Sequence, residues 1–532
     1  MVTEKVDIDA EGKEKDGHVT VLSDDLLRVE NIEKDMGAIE ALKLYPWSVV
    51  WSVVFSLTII MEAYDKGLIG SLYAQTAFKI RFGDYYPSIK GYQVPAPWQA
   101  ALTQASNVGI FIGIWINGLI VDRLGYKKTA LGGLCFLAAT LLLTIFAVNR
   151  GMLFAGEFLC GLPWGTFIAC APAYASEVAP IALRGVLTTY INLAFVIGQF
   201  IAAGVLLGVQ GRTDTMGWKI PFIVQEAWPV PLFILICLTP ESPWWYVRHN
   251  RVEEAEKSLR RLRGDAGPVP INQQVAMMVE TNRAEMELGQ GEHVTYSDCF
   301  KGTDLRRTEI VCLAWASQLF SGQNFTAYMT YFFTLSGLKS SDAFKLNLGN
   351  YALGFVGTVS SWFLLNKFGR RKIFLTGISI MTMIMGIIGC LYWTAEKHTS
   401  AKWGQAGLLL TWTVVSDASI GPVVYAIVSE TSSTRLRAKS VGLARNAYTV
   451  CALCFGFAVP FMMNAAYGNL KGKTAFLFFG TSILALIWAF FRLPECKGRS
   501  YRELDILFDQ RISARKFATA DAQEHPQATL HV

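Results

Sequence analysis

Apolar residues run along this chain in blocks of membrane length, broken by short polar segments. The blocks fall at about 46–66, 98–121, 129–148, 151–175, 186–208 and 221–239, then at about 308–335, 345–366, 373–393, 403–428, 440–464 and 474–493. Each is close to the roughly 20 residues that cross a bilayer as a helix. Lipid offers no partner for a bare N–H or C=O, so each block is expected to be a helix. The pattern predicts an all-α membrane protein with twelve transmembrane helices in two six-helix halves, 46–240 and 308–494. Three polar regions flank them: a tail at 1–45, a middle loop at 241–307 and a second tail at 495–532. Within the loop, VEEAEKSLRRL (252–262) repeats apolar residues at helical spacing, with Glu253–Lys257 and Glu254–Ser258 at i,i+4. A cytosolic helical domain is expected there.

Composition sharpens this picture. Hydrophobic residues make up 52% and charged residues 17%, with a mean hydropathy of +0.33. Too little charge is present to coat several soluble domains, which excludes a soluble enzyme, a fibre and a disordered chain. The net charge of +6 is small and scattered, so nucleic acid is not an expected partner. Lys and Arg are only modestly denser on one side of the short loops. The cluster Arg248, Arg251, Lys257, Arg260, Arg261 and Arg263 after the sixth block sets the orientation, with both tails in the cytosol. The acidic first 45 residues lack the apolar core of a cleavable signal, so insertion is expected to start with the first span. The 10 cysteines have neither disulfide nor zinc spacing. Cys451 and Cys454 form a CxxC on an apolar block and are read as packing residues.

The chain also repeats itself. Asp122-Arg-Leu-Gly-Tyr-Lys-Lys128 follows span 2, and Asn366-Lys-Phe-Gly-Arg-Arg-Lys372 follows span 8. A Ser-Glu pair at Ser176 and Ser429 follows spans 4 and 10, and Pro-Glu at Pro240 and Pro494 follows spans 6 and 12. Three motif pairs keep the same order at a spacing of about 250 residues, the mark of a duplicated bundle. Such repeats belong to alternating-access carriers, whose site lies between the halves near the bilayer midplane.

Charges inside the blocks are expensive, about 3 kcal/mol or more at mid-bilayer. Glu62, Asp65 and Lys66 lie in span 1, Glu157 in span 4 and Arg445 in span 11. Glu62 and Asp65 share a helix face at i,i+3. Two acids in one low-dielectric cavity disfavour joint ionisation, so a carboxyl there can carry a proton across. A structural salt bridge, such as Glu62–Lys66 at i,i+4, is the plainer account. Span 5 places Asn192 and Gln199 on one face, span 7 holds Gln318, Gln323, Asn324 and Tyr328, and span 10 holds Tyr425. Amides that donate and accept, beside aromatic platforms, suit a sugar's hydroxyls and C–H faces. The same amides also serve as glue between membrane helices.

These motifs resemble the sugar-porter branch of the major facilitator superfamily across about 45–508. The resemblance rests on Gly118-Leu-Ile-Val-Asp122-Arg-Leu-Gly125, Pro240-Glu-Ser-Pro243, Gly421-Pro422, Ser429-Glu430, Arg435-Leu-Arg437 and Pro494-Glu495. Within the branch, Glu62-Ala-Tyr-Asp65, Cys160-Gly-Leu-Pro-Trp-Gly165, Tyr174-Ala-Ser-Glu177 and Ala444-Arg-Asn-Ala-Tyr448 look like the fungal maltose or general α-glucoside permeases. The resemblance implies a plasma-membrane proton:sugar symporter, acting as a monomer without cofactor or metal. It implies proton coupling at Asp65, with Glu62 and Glu157 as companion acids and Arg445 as their counter-ion. It maps sugar contacts onto Asn192, Gln199, Gln318, Asn324 and Tyr425; Leu319 stands where many monosaccharide porters have a second Gln. It also implies a cytosolic gate in which Asp122, Glu177, Glu241 and Glu430 work with Arg123, Arg184, Arg370, Arg371, Arg435 and Arg437. Asn366 departs from that pattern, so the second half's clamp should be the weaker one.

Other signals fail. Gly468-Asn-Leu-Lys-Gly-Lys-Thr474 has the wrong spacing for a phosphate loop, and no GxSxG elbow or histidine cluster is present. The sequon at Asn324 lies inside a span. A uniporter of the same sugars, or a carrier of hexoses or other disaccharides, is the alternative. A non-transporting sugar sensor is a more distant one.

Overall fold

A computed structural model describes residues 38–87, 91–263, 269–291, 296–433, 436–497, 499 and 501–520. Among the described residues, eleven helices are long and apolar enough to cross a membrane: Pro46–Leu72, Ala96–Leu124, Tyr126–Ile145, Arg150–Val178, Asn192–Val209, Thr215–Leu238, Ser340–Leu365, Arg370–Ala395, Thr399–Thr431, Lys439–Met463 and Lys471–Arg492. They are spans 1–6 and 8–12. The expected seventh block forms three pieces instead, Gly302–Phe320, Gln323–Ala327 and Met329–Leu335. Gly322, at φ +112°, makes the first break, and a Cβ there would meet the Met385 side chain at 2.5 Å. Tyr328 (φ −98°, ψ 17°) makes the second. With this interrupted span the bundle has its twelve crossings.

Two further spans are interrupted. Span 6 runs Thr215–Glu226 and then Pro229–Leu238; the Pro229 ring carries no N–H for the preceding turn. Span 10 breaks at Ser419 between Thr399–Ala418 and Ile420–Thr431, and Pro422 explains it in the same way. Spans 2 and 4 make the closest approach. A Cβ at Gly109 would lie 2.2 Å from the Phe158 carbonyl, and one at Gly165 would lie 2.2 Å from that of Ile110. Small residues let membrane helices pack backbone to backbone.

One element departs from the all-α expectation. After the short helix Thr76–Phe82, Asp84–Tyr86 pairs antiparallel with Gly91–Gln93, and Tyr85 stands opposite Tyr92. The two rings meet edge-on at 5.4 Å, a cross-strand aromatic pair that suits such a ribbon.

The chain forms two compact units. Among the described residues, one comprises 38–53, 173–188 and 239–291. In it, Ala41 and Tyr45 pack on Ala175, Ala179 and Leu183, and Ser48 donates to the Val178 carbonyl at 2.9 Å. The helices Pro243–Arg248, Val252–Arg263 and Ile271–Gly291 enclose Val247, Ala255, Leu259, Val275 and Met278. The helix expected at 252–262 is there, but its polar pairs differ. Arg251–Glu254 (2.5 Å) and Arg260–Glu256 (3.3 Å) form, while Ser258 turns inward and donates to the Glu241 carbonyl. Ser242 caps the first helix, accepting from the Trp245 N–H at 3.3 Å. The second unit holds most of the twelve crossings and the core between them.

Candidate functional site

The intramembrane charges of span 1 lie inside the second unit. Glu62 and Asp65 are 0% and 1% exposed. Lys66 reaches back one turn to Glu62 Oε1 at 2.5 Å, with its Nζ 5.8 Å from the Phe195 ring of span 5. The i,i+4 bridge allowed by the sequence therefore forms. Asp65 Oδ1 accepts from the Gln225 amide of span 6 at 3.2 Å. Facing Asp65 is the Glu157 carboxyl of span 4. Neither Glu157 oxygen meets an amide or hydroxyl donor among the described residues. Burying an ionised carboxylate without such a partner is costly.

Arg445 does not sit between these acids. Its guanidinium lies over Trp315 (5.6 Å) and Tyr448 (4.9 Å) and makes no ion pair among the described residues. Glu62 takes Lys66, so the expected counter-ion is left to cation–π contacts, worth about 2 kcal/mol when desolvated. Tyr425 meets the same Trp315 edge-on at 5.4 Å. Glu62 and Arg445 both act electrostatically on Tyr425 and Tyr448. Span 1 acid and span 11 base thus address one aromatic group.

The expected sugar residues divide into two sets. Gln318 presents a buried Nε2 with no acceptor among the described residues. Gln323 accepts from the Tyr448 hydroxyl at 3.2 Å, and Asn324 donates to the Ala452 carbonyl at 3.3 Å. Through Tyr448, Trp315 and Arg445, Gln323 and Tyr425 belong to one group on spans 7, 10 and 11. Asn192 crosses between halves to Thr358 of span 8 at 3.5 Å, and Gln199 packs on Gly67 of span 1. Tyr328 is elsewhere. It is stacked on Tyr73 at 5.9 Å, and its hydroxyl shares a 2.9 Å bond with Thr103 of span 2.

That contact belongs to a seal between the halves at the hairpin end. Gln93 donates to the Tyr331 hydroxyl, and Asn464 donates to the Val94 carbonyl at 3.1 Å. Ser71 meets Thr330 and Asn347, each at 3.3 Å. The two halves are closed there.

The expected gate residues are engaged as follows. Arg370 donates from Nε (3.1 Å) and Nη2 (2.9 Å) to Glu430, joining spans 9 and 10. Glu495 accepts the Arg370 N–H (2.8 Å) and the Arg371 N–H (3.2 Å), capping span 9. Gly369 leaves room for it. Within the other unit, Glu177 pairs with Arg248 at 2.8 Å and accepts from Ser242. Glu241 is buried and accepts the Ser242 N–H at 3.1 Å. Asp122 and Arg123 end span 2 at the surface. Arg435 and the side chains of Arg184, Asn366 and Arg437 lie outside the described residues.

Sequence reading missed two acids. Asp417, at the break of span 10, points its Oδ2 at Gly354 of span 8, 2.6 Å from where a Cβ would stand, with Val196 of span 5 beside it. Glu226 stands at the break of span 6, with one oxygen buried and without a partner among the described residues. Both lie inside apolar blocks, so the criterion that picked out Glu157 also picks them out.

The sequence profile of the family described as "Sugar (and other) transporter" matches residues 51–508. The chain belongs to this sugar transporter family. It is a carrier family, so the protein is a transporter and not an enzyme. Maltose permease MAL61 of Saccharomyces cerevisiae is 35% identical over 503 residues, 93% of this chain and 81% of that permease. The general alpha-glucoside permease of the same yeast is 36% identical over 509 residues, with the same coverage. Among solved structures, the proton:xylose symporter XylE bound to 6-bromo-6-deoxy-D-glucose superposes with a TM-score of 0.69 at 19% identity, covering 87% of this chain and 99% of that one. A partially occluded inward-open form of XylE from E. coli gives a TM-score of 0.67 at 18% identity, covering 84% of this chain and 99% of that one. These matches establish the twelve-helix major facilitator fold for this transporter.

Proposed function

We propose that this transporter imports α-glucosides of the maltose class together with protons, by alternating access across the plasma membrane, as a monomer with both termini in the cytosol. The permeases it resembles are named for maltose and α-glucosides. The observation that carries the coupling is the Asp65–Glu157 pair, two buried carboxyls facing each other while the nearest cation, Lys66, is committed to Glu62. Such a pair holds together when a proton is shared between its members and is driven apart when both are ionised. Loading a proton from outside steadies spans 1 and 4, and losing it inside releases them.

Sugar hydroxyls meet the amide of Gln318 together with Gln323 and Asn324; Tyr425 supplies an aromatic face, and Asn192 and Gln199 contribute from the first half. Glu62, Lys66 and Arg445 connect that group to the acids. The gate residues Asp122, Arg123, Glu177, Arg184, Glu241, Arg370, Arg371, Glu430, Arg435 and Arg437 clamp the cytosolic ends and separate as the halves rock. A potential of 100 mV is worth about 2.3 kcal/mol per charge moved, between about one and two decades of sugar accumulation.

The test is Asp65→Asn in a transporter-null cell. Uphill maltose uptake and alkalinisation of an unbuffered medium should both be lost, while exchange of labelled sugar down its gradient persists. Uphill uptake retained by Asp65→Asn and by Glu157→Gln would overturn the coupling. Downhill flux in the parent protein, unchanged by pH, would point to a uniporter.

A further inference from the structure

Spans 9 and 12 leave between them, on the outer face of the bundle, an apolar groove of 720 Å³ lined by Leu375, Ile380, Met383, Leu486, Ile487 and Phe490. The side chains along it are turned outward: Met383 is 57% exposed and Ile487 51%. Two guanidiniums close its end beside the N-terminus of span 9. Arg371 lies 5.8 Å from the Phe490 ring centre, and its Nη2 donates to the Phe490 carbonyl at 2.5 Å. Arg515, from the segment after span 12, lies 5.9 Å from the same ring and 5.7 Å from Phe491.

The two arginines thus share one ring and repel each other. Glu495 is the acid that faces Arg371, and its oxygens already accept backbone N–H groups of Arg370, Arg371 and Lys497. Arg371 Nε is buried without an acceptor among the described residues. An apolar trough leading to two cations and a spare N–H fits an amphiphile with acyl chains and an anionic head. Guanidiniums bind phosphate in a planar fork.

We propose that this groove is a binding site for an anionic phospholipid, with acyl chains along spans 9 and 12 and the phosphate between Arg371 and Arg515. The orientation proposed above puts that end in the cytosolic leaflet, where anionic lipids concentrate. The assay below is made on purified protein and depends on neither orientation nor sugar.

Full-length protein is delipidated in detergent, offered phosphatidylserine or phosphatidylcholine, and examined by native mass spectrometry. Phosphatidylserine should be retained at least fivefold better. Arg515→Gln should reduce that retention about fivefold, the effect of one basic residue at a lipid surface. Met383→Trp, which fills the trough and leaves the charges, should reduce retention as well. Arg212→Gln, an exposed arginine beyond the groove paired with Asp214, should leave it unchanged. Equal retention of the two lipids would overturn the proposal. So would an Arg212→Gln effect as large as that of Arg515→Gln, which would mean non-specific charge attraction, or indifference to Met383→Trp, which would mean a phosphate site without acyl chains.

Discussion

Closure of the hairpin end should depend measurably on two tyrosine hydroxyls. Tyr328→Phe keeps the ring stacked on Tyr73, at 5.9 Å and 10° between planes, and deletes the 2.9 Å bond to Thr103. Thr103 keeps its 3.0 Å bond to the Tyr73 hydroxyl, so no buried group is orphaned. The loss is then that of one ordinary hydrogen bond, about 1 kcal/mol, or roughly a fivefold shift from closed to open. Tyr331→Phe differs. It strips the Gln93 amide of its acceptor, while Gln99 retains the Val94 carbonyl at 2.8 Å. A buried amide left unpaired costs about 1–3 kcal/mol, so the shift should lie between roughly fivefold and a hundredfold. Ser71→Cys supplies a reporter, since Ser71 is 2% exposed in the closed seal. Its modification by a membrane-impermeant maleimide on intact cells should quicken about fivefold with Tyr328→Phe and more with Tyr331→Phe. Adding Thr103→Val to Tyr328→Phe should give little further change. Equal labelling rates in all variants would refute the assignment of these hydroxyls to the seal.

Other expectations are as direct. Gly354→Val should lower sugar uptake and the melting temperature, because its Cβ would stand 2.6 Å from Asp417 Oδ2. Asp417→Ala in the same chain should restore the melting temperature, and failure to do so would remove the steric account. Burial of Lys79 lowers its ammonium from 10.5 to about 8. The unfolded chain therefore binds more protons between those values, and folding stability should rise with pH across that window; Lys79→Met should flatten the rise, and parallel profiles for the two proteins would contradict it. Arg307 is 4% exposed, pairs with Asp505 at 2.5 Å and lies 4.4 Å from the Phe508 ring. Arg307→Ala should destabilise by about 2 kcal/mol, below the 3–5 of a wholly buried pair because Asp505 is 35% exposed, as read by thermal unfolding in detergent. Arg307→Lys should recover only part of this.

What the sequence made legible follows from the solvent. A bilayer punishes charge and unpaired backbone, so span positions, the duplicated halves and the isolated acids Glu62, Asp65 and Glu157 stand out in the chain. Contacts within one helical turn are legible for the same reason, and Glu62–Lys66 is the example. The breaks in spans 6 and 10 were written as Pro229 and Gly421-Pro422, yet hydropathy runs through them unchanged. The break in span 7 depends on Gly322, which an apolar block conceals. The ribbon at Asp84–Tyr86 and Gly91–Gln93 has strands of 3 residues each, too short to show a period.

Partners distant in the chain could not be read. Asp65 takes Gln225, 160 residues away, and Thr103 takes Tyr328, 225 residues away. Tyr328 was a reasonable sugar platform by type and by span, but its face is set by the turn at Tyr328 itself, which starts a new helix. That turn directs the ring to Tyr73 and its hydroxyl to span 2. Arg445 shows the same limit from the other side. Its charge called for an acid, and in this conformation Trp315 and Tyr448 take its place. A base that can exchange aromatic rings for a carboxylate is suited to a carrier whose halves move. If Arg445 turns to Glu62 when the hairpin end opens, Lys66 must give way. The two cations would then compete for one acid.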